Sequence, residues 1–298
     1  MLTGSIIGDI KYQFRNGNMV IKLILANIGV FLFINILHLI CFLTQSTGIY
    51  ETILYKFELP ASLSLLWHQP WSLITYMFSH EGFLHILFNM LWFYWFGEIF
   101  VLYLGDKKVL PLYLIGGLMG GFTYLLAYNL IPVFKPAAQM GVPLIGASAS
   151  ILAIVFAAAT INPDHEISLI LIGPVRIKYI ALVSLLLDVI NIPNGNAGGY
   201  IAHVGGALSG YLYIMALRSG TDIAAPFNNL MDRIVTIFKP RPKVKVSYNS
   251  NGRRSEPSQA RDKTEQDKVD EILDKIARSG YDSLTKEEKD FLFHYSKK

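Results

Sequence analysis

Charged side chains are scarce in this sequence. They make up 16% of 298 residues, against 52% hydrophobic residues, and the mean hydropathy is +0.40. A soluble domain of this length carries more charge, so an ordinary soluble protein is excluded and a membrane protein is expected. Cysteine is almost missing. The single one, Cys41, sits in an apolar run, which excludes an internal disulfide and leaves it as a small buried hydrophobe. Residues 1–18 lack the short apolar core and small-residue cleavage site of a secretory leader, carrying instead Asp9, Lys11, Gln13, Arg15 and two asparagines. The first hydrophobic run is therefore expected to stay as an anchor. The formal net charge of +4 is too small to suggest a nucleic-acid partner, and none is expected.

What is abundant is long apolar sequence. Leu23 to Leu43 carries no charge and is long enough to cross about 30 Å of hydrocarbon as a helix. Further stretches at 82–104, 109–131, 145–161, 177–192 and 199–217 predict an all-α membrane protein with six crossings, the fourth and fifth so short that they need burial among the others. Residues 44–81, with Pro60, Pro70, Trp67 and Trp71, are too polar to span and are expected at the interface with the lipid bilayer. Lys11, Arg15, Lys22, Lys107, Lys108, Arg176, Lys178 and Arg218 fall on the side of the amino terminus, against Lys56 and Lys135 opposite. Lys and Arg are retained on the cytoplasmic face, which predicts a multi-pass protein of the plasma (inner) membrane with both termini cytoplasmic.

The domain plan follows. Residues 1–19 form a cytoplasmic amino-terminal segment, 20–217 the spanning domain, 218–263 an interfacial helix and disordered linker, and 264–298 a small cytoplasmic helical hairpin. Phe227, Leu230, Met231, Ile234, Ile237 and Phe238 recur at helical spacing, as in a helix lying in the interface. Lys239 to Lys263, rich in Pro, Lys and Arg, reads as the linker. In the hairpin, Val269, Ile272, Leu273 and Ile276 are expected on one apolar face, and SLTKEEKDFLF opens with Ser and Thr ahead of acids, as helix caps do. It reads as a partner-binding or regulatory module, so a protein partner of this tail is expected.

Polar groups within the spans are few, and each must be structural, satisfied or functional. HEGFLHILFN, residues 80–89, suggests zinc, but His80 and His85 are five apart and would point roughly 140° away from each other on one helix, so no metal site is assigned. His85 and Asn89, four apart, share a face. Alternation of the spans puts the starts of spans two, four and six at one level, and His85, Ser148 and His203 occur there. A serine and a histidine at one depth, with amide and imidazole donors nearby, are the ingredients of nucleophilic acyl transfer. Ser148 and Ser150 point roughly 160° apart, so only one can face the histidine. Gly206 and Gly210 form a ridge without side chains that lets span six approach span four. Asp188 could orient His203, yet a carboxylate at the outer end of a short helix reads first as solvated or capping. His38, Asn27 and Asn35 of span one read as interhelical hydrogen-bonding groups, and glycines 116, 117, 120 and 121 as close-packing surfaces.

His80, His85 and Asn89 in an H-x₄-H-x₃-N array, Gly146 and Ser148 in G-x-S, and Ala202, His203, Gly206 and Gly210 in A-H-x-x-G-x-x-x-G resemble, in that order, rhomboid intramembrane serine proteases. The resemblance covers roughly residues 20 to 217. It implies a six-helix rhomboid-like transmembrane bundle, here with a soluble carboxy-terminal tail of short helices, that hydrolyses transmembrane substrate proteins near the outer surface without a cofactor. Ser148 matches the nucleophile, His203 the general base, and His85 and Asn89 the oxyanion-stabilising side chains. His80 matches a further, supporting histidine. Ala149 stands where the family has glycine, with the capacity to narrow the cavity, and Leu152 where an aromatic commonly stacks on the base. The acid usually four residues before a glycine at the end of span two is missing, Val101 preceding Gly105 and Glu98 lying a turn earlier. Two other classes stay open: a catalytically silent rhomboid-like protein that binds membrane helices, and a multispan zinc protease using His80, Glu81 and His85.

Overall fold

The computed structural model describes residues 5–169, 172–238 and 259–295. They fall into two units, Met1–Lys239 and Pro240–Lys298. The first unit begins with helix α1 (Ile6–Asn16), which the sequence reading did not anticipate, and α2 (Met19–Leu43). Asn18 caps α2 by accepting from the Ile21 amide at 3.0 Å, so the helix starts ahead of its uncharged run and takes Lys22 into its first turn. The first connection folds into α3 (Thr47–Phe57), strand β1 (Leu59–Pro60), α4 (Leu63–His68) and α5 (Ser72–Thr75). Next come α6 (Phe83–Leu104), α7 (Val109–Leu130), the short α8 (Lys135–Gln139), strand β2 (Pro143–Leu144) and α9 (Ser148–Ile161). A β-hairpin of β3 (Glu166–Leu169) and β4 (Gly173–Arg176) leads to α10 (Ile177–Asn191), α11 (Ala197–Arg218) and α12 (Ala225–Phe238). Helices α2, α6, α7 and α11, and α10 with the turn that follows it to Asn194, are long and apolar enough to cross a membrane, while α9 is shorter; only α9 is buried as expected, the α10 span being mostly exposed. The chain is thus a helical membrane bundle.

α9 forms the centre, packed by α6, α7, α10 and α11. Every residue from Ala149 to Ala159 except Phe156 is buried. Small residues make this possible. A Cβ at Gly206 would run into the carbonyl of Ala149, and one at Gly210 into that of Ala153, so α11 lies backbone to backbone on α9. From the other side, Gly120 faces the methyl of Ala149 and Gly116 that of Ala153.

Hydrogen bonds fix the level of the ends. Asn18 Nδ2 donates to Glu98 at 2.7 Å, the Met19 amide to Asp106 at 2.5 Å, Asn162 Nδ2 to the Tyr103 hydroxyl at 2.8 Å, and Arg218 to the Thr160 carbonyl at 2.7 Å. The start of α2 and the ends of α6, α9 and α11 therefore lie together. α9, with 14 residues, is about 21 Å long, short of the roughly 30 Å of hydrocarbon. Its carboxy-terminal end is tied at that polar level, so the end that stops inside the slab is the one bearing Ser148.

The first connection docks inward at its far end. β1 pairs antiparallel with β2, Leu59 opposite Leu144, and the Gly146 amide donates to the Tyr76 carbonyl at 2.9 Å. The Tyr76 hydroxyl donates to the Gly117 carbonyl and that of Tyr113 to the Met77 carbonyl. Its outer face leaves Trp67 84% exposed, as suits an interfacial segment. Of the span-one polar groups, only Asn27 bonds across helices, to the Tyr113 hydroxyl at 3.3 Å. Asn35 bonds the Phe31 carbonyl of its own helix, and His38 stacks on Tyr50 of α3, because both lie toward the exposed face of α2.

In the second unit the described residues form α13 (Gln259–Ser279) and α14 (Lys286–Tyr295). Residues 239–258 of the expected linker lie outside the described residues, and its last few are helical. Val269, Ile272 and Leu284 are buried, whereas Leu273 is 49% exposed, being turned out of the narrower seam that Val269 and Ile272 define at i, i+3. Thr285 and Glu288 form a reciprocal cap: the Thr285 amide donates to Glu288 at 2.8 Å and the Glu288 amide to Thr285 Oγ1 at 3.3 Å. Glu288 also accepts from Lys275 at 2.9 Å, tying the two helices, and this partner holds its carboxyl below the usual range.

Gly210→Ala should destabilise the bundle by about 1–3 kcal/mol through overpacking. Gly29→Ala, where nothing lies within 4 Å, should change stability by less than about 1 kcal/mol. Thermal unfolding in detergent separates the two.

Candidate active site

Ser148 is the first residue of α9, where backbone N–H groups have no partner within the helix and the dipole is positive. The turn that delivers it passes through Gly146 at φ +124°, a conformation that a side chain resists. Gly146 also leaves room. A Cβ there would meet the His85 imidazole at 3.0 Å and Ser148 Oγ at 3.7 Å, so the missing side chain is what lets His85 stand beside the serine.

His203 lies two turns into α11, whose start is capped by Asn196 accepting from the Gly199 amide at 3.0 Å. The close approach at Gly206 sets it against α9. The Ser148 hydroxyl donates to His203 Nε2 at 2.6 Å, and His203 Nδ1–H donates to Asp188 Oδ2 at 2.9 Å. Tyr200 meets the imidazole edge-on, 6.2 Å between ring centroids. All three polar side chains open into a cavity of about 460 Å³, which His85 and Asn89 also line. Asn89 Nδ2 is buried and has no protein hydrogen-bond partner, an amide donor left free in the cavity.

His80 is not on α6 but ahead of it, and this changes the sequence expectation. The two rings, expected to diverge on one helix, meet edge-on with centroids 5.2 Å apart. His80 is buried with neither ring nitrogen hydrogen-bonded to protein, and burial, with His85 beside it, pushes its pKa down to about 4. It stands uncharged at neutral pH, edge-on to His85. Glu81, which a zinc site would need, points to solvent, and among the described residues no three His, Cys, Asp or Glu side chains converge on a metal position.

The two departures at α9 have local explanations. The Ala149 methyl is 2% exposed and faces Gly120 of α7, so it does not narrow the cavity. Leu152 lines the cavity, and the aromatic contact to His203 comes from Tyr200 on its own helix instead. Ser150 is buried against Gly117, turned away from the imidazole.

The residue given too little weight from sequence is Asp188. A signal existed: Ile177, Ala181, Ser184 and Asp188 fall at i, i+4, i+7 and i+11, the face that α10 turns to the bundle. Ile177 and Ala181 are buried on it, Ser184 and Asp188 line the cavity, and Leu182, Val183, Leu186, Leu187 and Ile190 are exposed on the other side.

Known proteins resemble the part of the chain that holds this site. The Rhomboid domain model matches residues 67–220, just over half of the chain, a range that holds the residues of the cavity. A model for a family of unknown function, DUF6576, matches residues 259–298. The chain is 29% identical over 157 residues to RHOMBOID-like protein 12, mitochondrial, of Arabidopsis thaliana, covering 50% of this chain and 47% of that protein. It is 34% identical over 140 residues to Presenilin-associated rhomboid-like protein A, mitochondrial, of Danio rerio, covering 46% and 35%. To Rhomboid protease GlpG of Haemophilus influenzae it is 28% identical over 182 residues, covering 61% of this chain and 87% of that protein. The chain thus spans half or less of the length of the first two relatives and most of the third. With the domain model matched over more than half of the chain, from α5 to the end of α11, this multi-pass membrane protein belongs to the rhomboid family.

Proposed function

We propose that the chain is an intramembrane serine protease that hydrolyses peptide bonds of transmembrane proteins. The observation that carries this reading is the 2.6 Å pair of Ser148 and His203 in a cavity that also holds an unpartnered amide donor. Ser148 Oγ attacks the peptide carbonyl while His203 Nε2 takes the hydroxyl proton. The oxyanion is met by Asn89 Nδ2–H, the His85 imidazole and the Ser148 backbone N–H, all at the same cavity. His203 then passes its proton to the departing amine, leaving an acyl enzyme on Ser148. A water entering the cavity is deprotonated by His203 and releases the new carboxylate, restoring the serine. A role limited to binding membrane helices needs none of these alignments.

The lining of the cavity supports this substrate class. Leu84, Phe88 and Trp92 of α6 form an apolar lip beside it, suited to a chain arriving from lipid. A peptide in a membrane helix has its carbonyls engaged, so the cleaved segment must unwind next to water. Because α9 stops short at its Ser148 end, the chemistry lies beneath the surface opposite the basic loops. On the positive-inside rule that is the outer side of the plasma (inner) membrane, with both termini cytoplasmic.

Ser148→Ala should lower turnover of a transmembrane substrate by at least ~10³-fold, while Ser150→Ala leaves it unchanged. A fluorophosphonate should label the parent protein and not Ser148→Ala, and full cleavage by Ser148→Ala, or loss of cleavage with a chelator, would sink the reading. Asn89→Ala and His85→Ala should each cost about 10²–10³-fold in kcat in the same assay. His80, titrating near 4 when folded against about 6.5 when unfolded, favours the fold fully above pH 6.5, and that advantage is lost as pH falls from 6.5 toward 4. The loss is on the order of 3 kcal/mol, and thermal midpoints at pH 7 and pH 4.5 should show a drop in the parent that His80→Asn reduces.

A further inference from the structure

We infer that Asp188 is a positioning residue for the base, so that the hydrolytic reading above uses a serine, a histidine and an orienting aspartate drawn from spans four, six and five. The inference rests on that reading for its catalytic consequence and on geometry for the contact itself. Asp188 Oδ2 accepts from His203 Nδ1 at 2.9 Å on the opposite side of the ring from the serine, whose Oγ is 2.6 Å from Nε2. The side chains of both His203 and Asp188 are only 17% exposed.

Two physical arguments favour this over a solvated or capping carboxylate. Asp188 stands in the last turn of α10, which ends at Asn191. The helix dipole is negative there, so the local electrostatics of α10 disfavour an acid. A carboxylate among apolar residues of a membrane helix is also costly without a partner. The protein group that meets both costs is the His203 ring, so the position breaks a local rule and gains only through the site. The face of α10 on which it lies is otherwise filled by Ile177, Ala181 and Ser184, which offer no charge.

The chemistry follows from the two nitrogens of one ring. With Nδ1–H held by the carboxylate, the Nε2 lone pair is kept toward the Ser148 hydroxyl, and the tautomer that can accept its proton is the one populated. When that proton moves to Nε2 the ring becomes an imidazolium, and the carboxylate beside it stabilises the charge. Asp188 does not itself take the proton. Tyr200, edge-on to the ring, limits tilting but provides neither function.

The test compares Asp188→Asn and Asp188→Glu with the parent protein reconstituted in lipid. Turnover is normalised to sites titrated by a fluorophosphonate, and the His203 imidazole nitrogens are observed by ¹⁵N NMR, with His203→Ala identifying the signals. Asp188→Asn keeps the shape but offers a donor as well as an acceptor. It should lower kcat per titrated site at least about tenfold, and up to about 10⁴-fold, with KM little changed. Asp188→Glu should recover part of that loss. The parent should show protonated Nδ1 and bare Nε2, and Asp188→Asn a mixture. A merely structural role would reduce the number of titrated sites and the thermal midpoint at constant kcat per site. An unchanged kcat in Asp188→Asn, or an unchanged nitrogen pattern, overturns the inference. If the parent itself neither cleaves nor labels, the protease reading falls, and the nitrogen pattern alone decides the Asp188 contact.

Discussion

Everything else in the bundle depends on two helices touching through their backbones. Where α11 crosses α9, glycines 206 and 210 lie on the carbonyls of Ala149 and Ala153, with no side chain between them. In lipid there is little hydrophobic force to press helices together, so such contact relies on dispersion over a smooth surface and on the absence of bulk. The same seam sets the distance between an imidazole on one helix and a hydroxyl on the other. A single methyl at Gly206 would part them, which makes the packing and the chemistry one constraint.

A second feature is the shortness of α9. A full-length crossing would place Ser148 at the surface, in open water, whereas this helix stops inside the bundle and leaves its free N–H groups at a cavity. The turn before it is held from outside, by the β1–β2 pair and by the Tyr76 carbonyl, so the first connection shapes the turn that leads to Ser148. The buried histidine ahead of α6 acts similarly, by standing behind His85.

Much of the bundle was legible in the sequence because hydrocarbon is a simple solvent. Length and the lack of charge were enough to locate the apolar segments, and the helix boundaries in the structure fall within a few residues of the expected ones. Ser148, His85 and His203 could be brought to one level by counting alternate crossings. What resisted reading was whatever depends on a side chain's partner in another element. Asp188 looked like a solvated acid because its partner lies on the next helix, across a tight turn. His80 was placed by a helical wheel that does not apply to a residue before the helix begins. The β1–β2 contact joins segments far apart in the chain, and two residues of strand leave no periodic signal. α1 and the β3–β4 hairpin were passed over because neither is long or apolar enough to stand out beside the spans.

The order of these pieces along the chain has a consequence for biosynthesis. The hydroxyl is translated first, the carboxylate next and the imidazole last, on the helix whose glycines must still slide into place against α9. A chain that stops before that final segment holds Ser148 without an imidazole beside it. The contact between the two therefore forms last, once α11 has packed on α9.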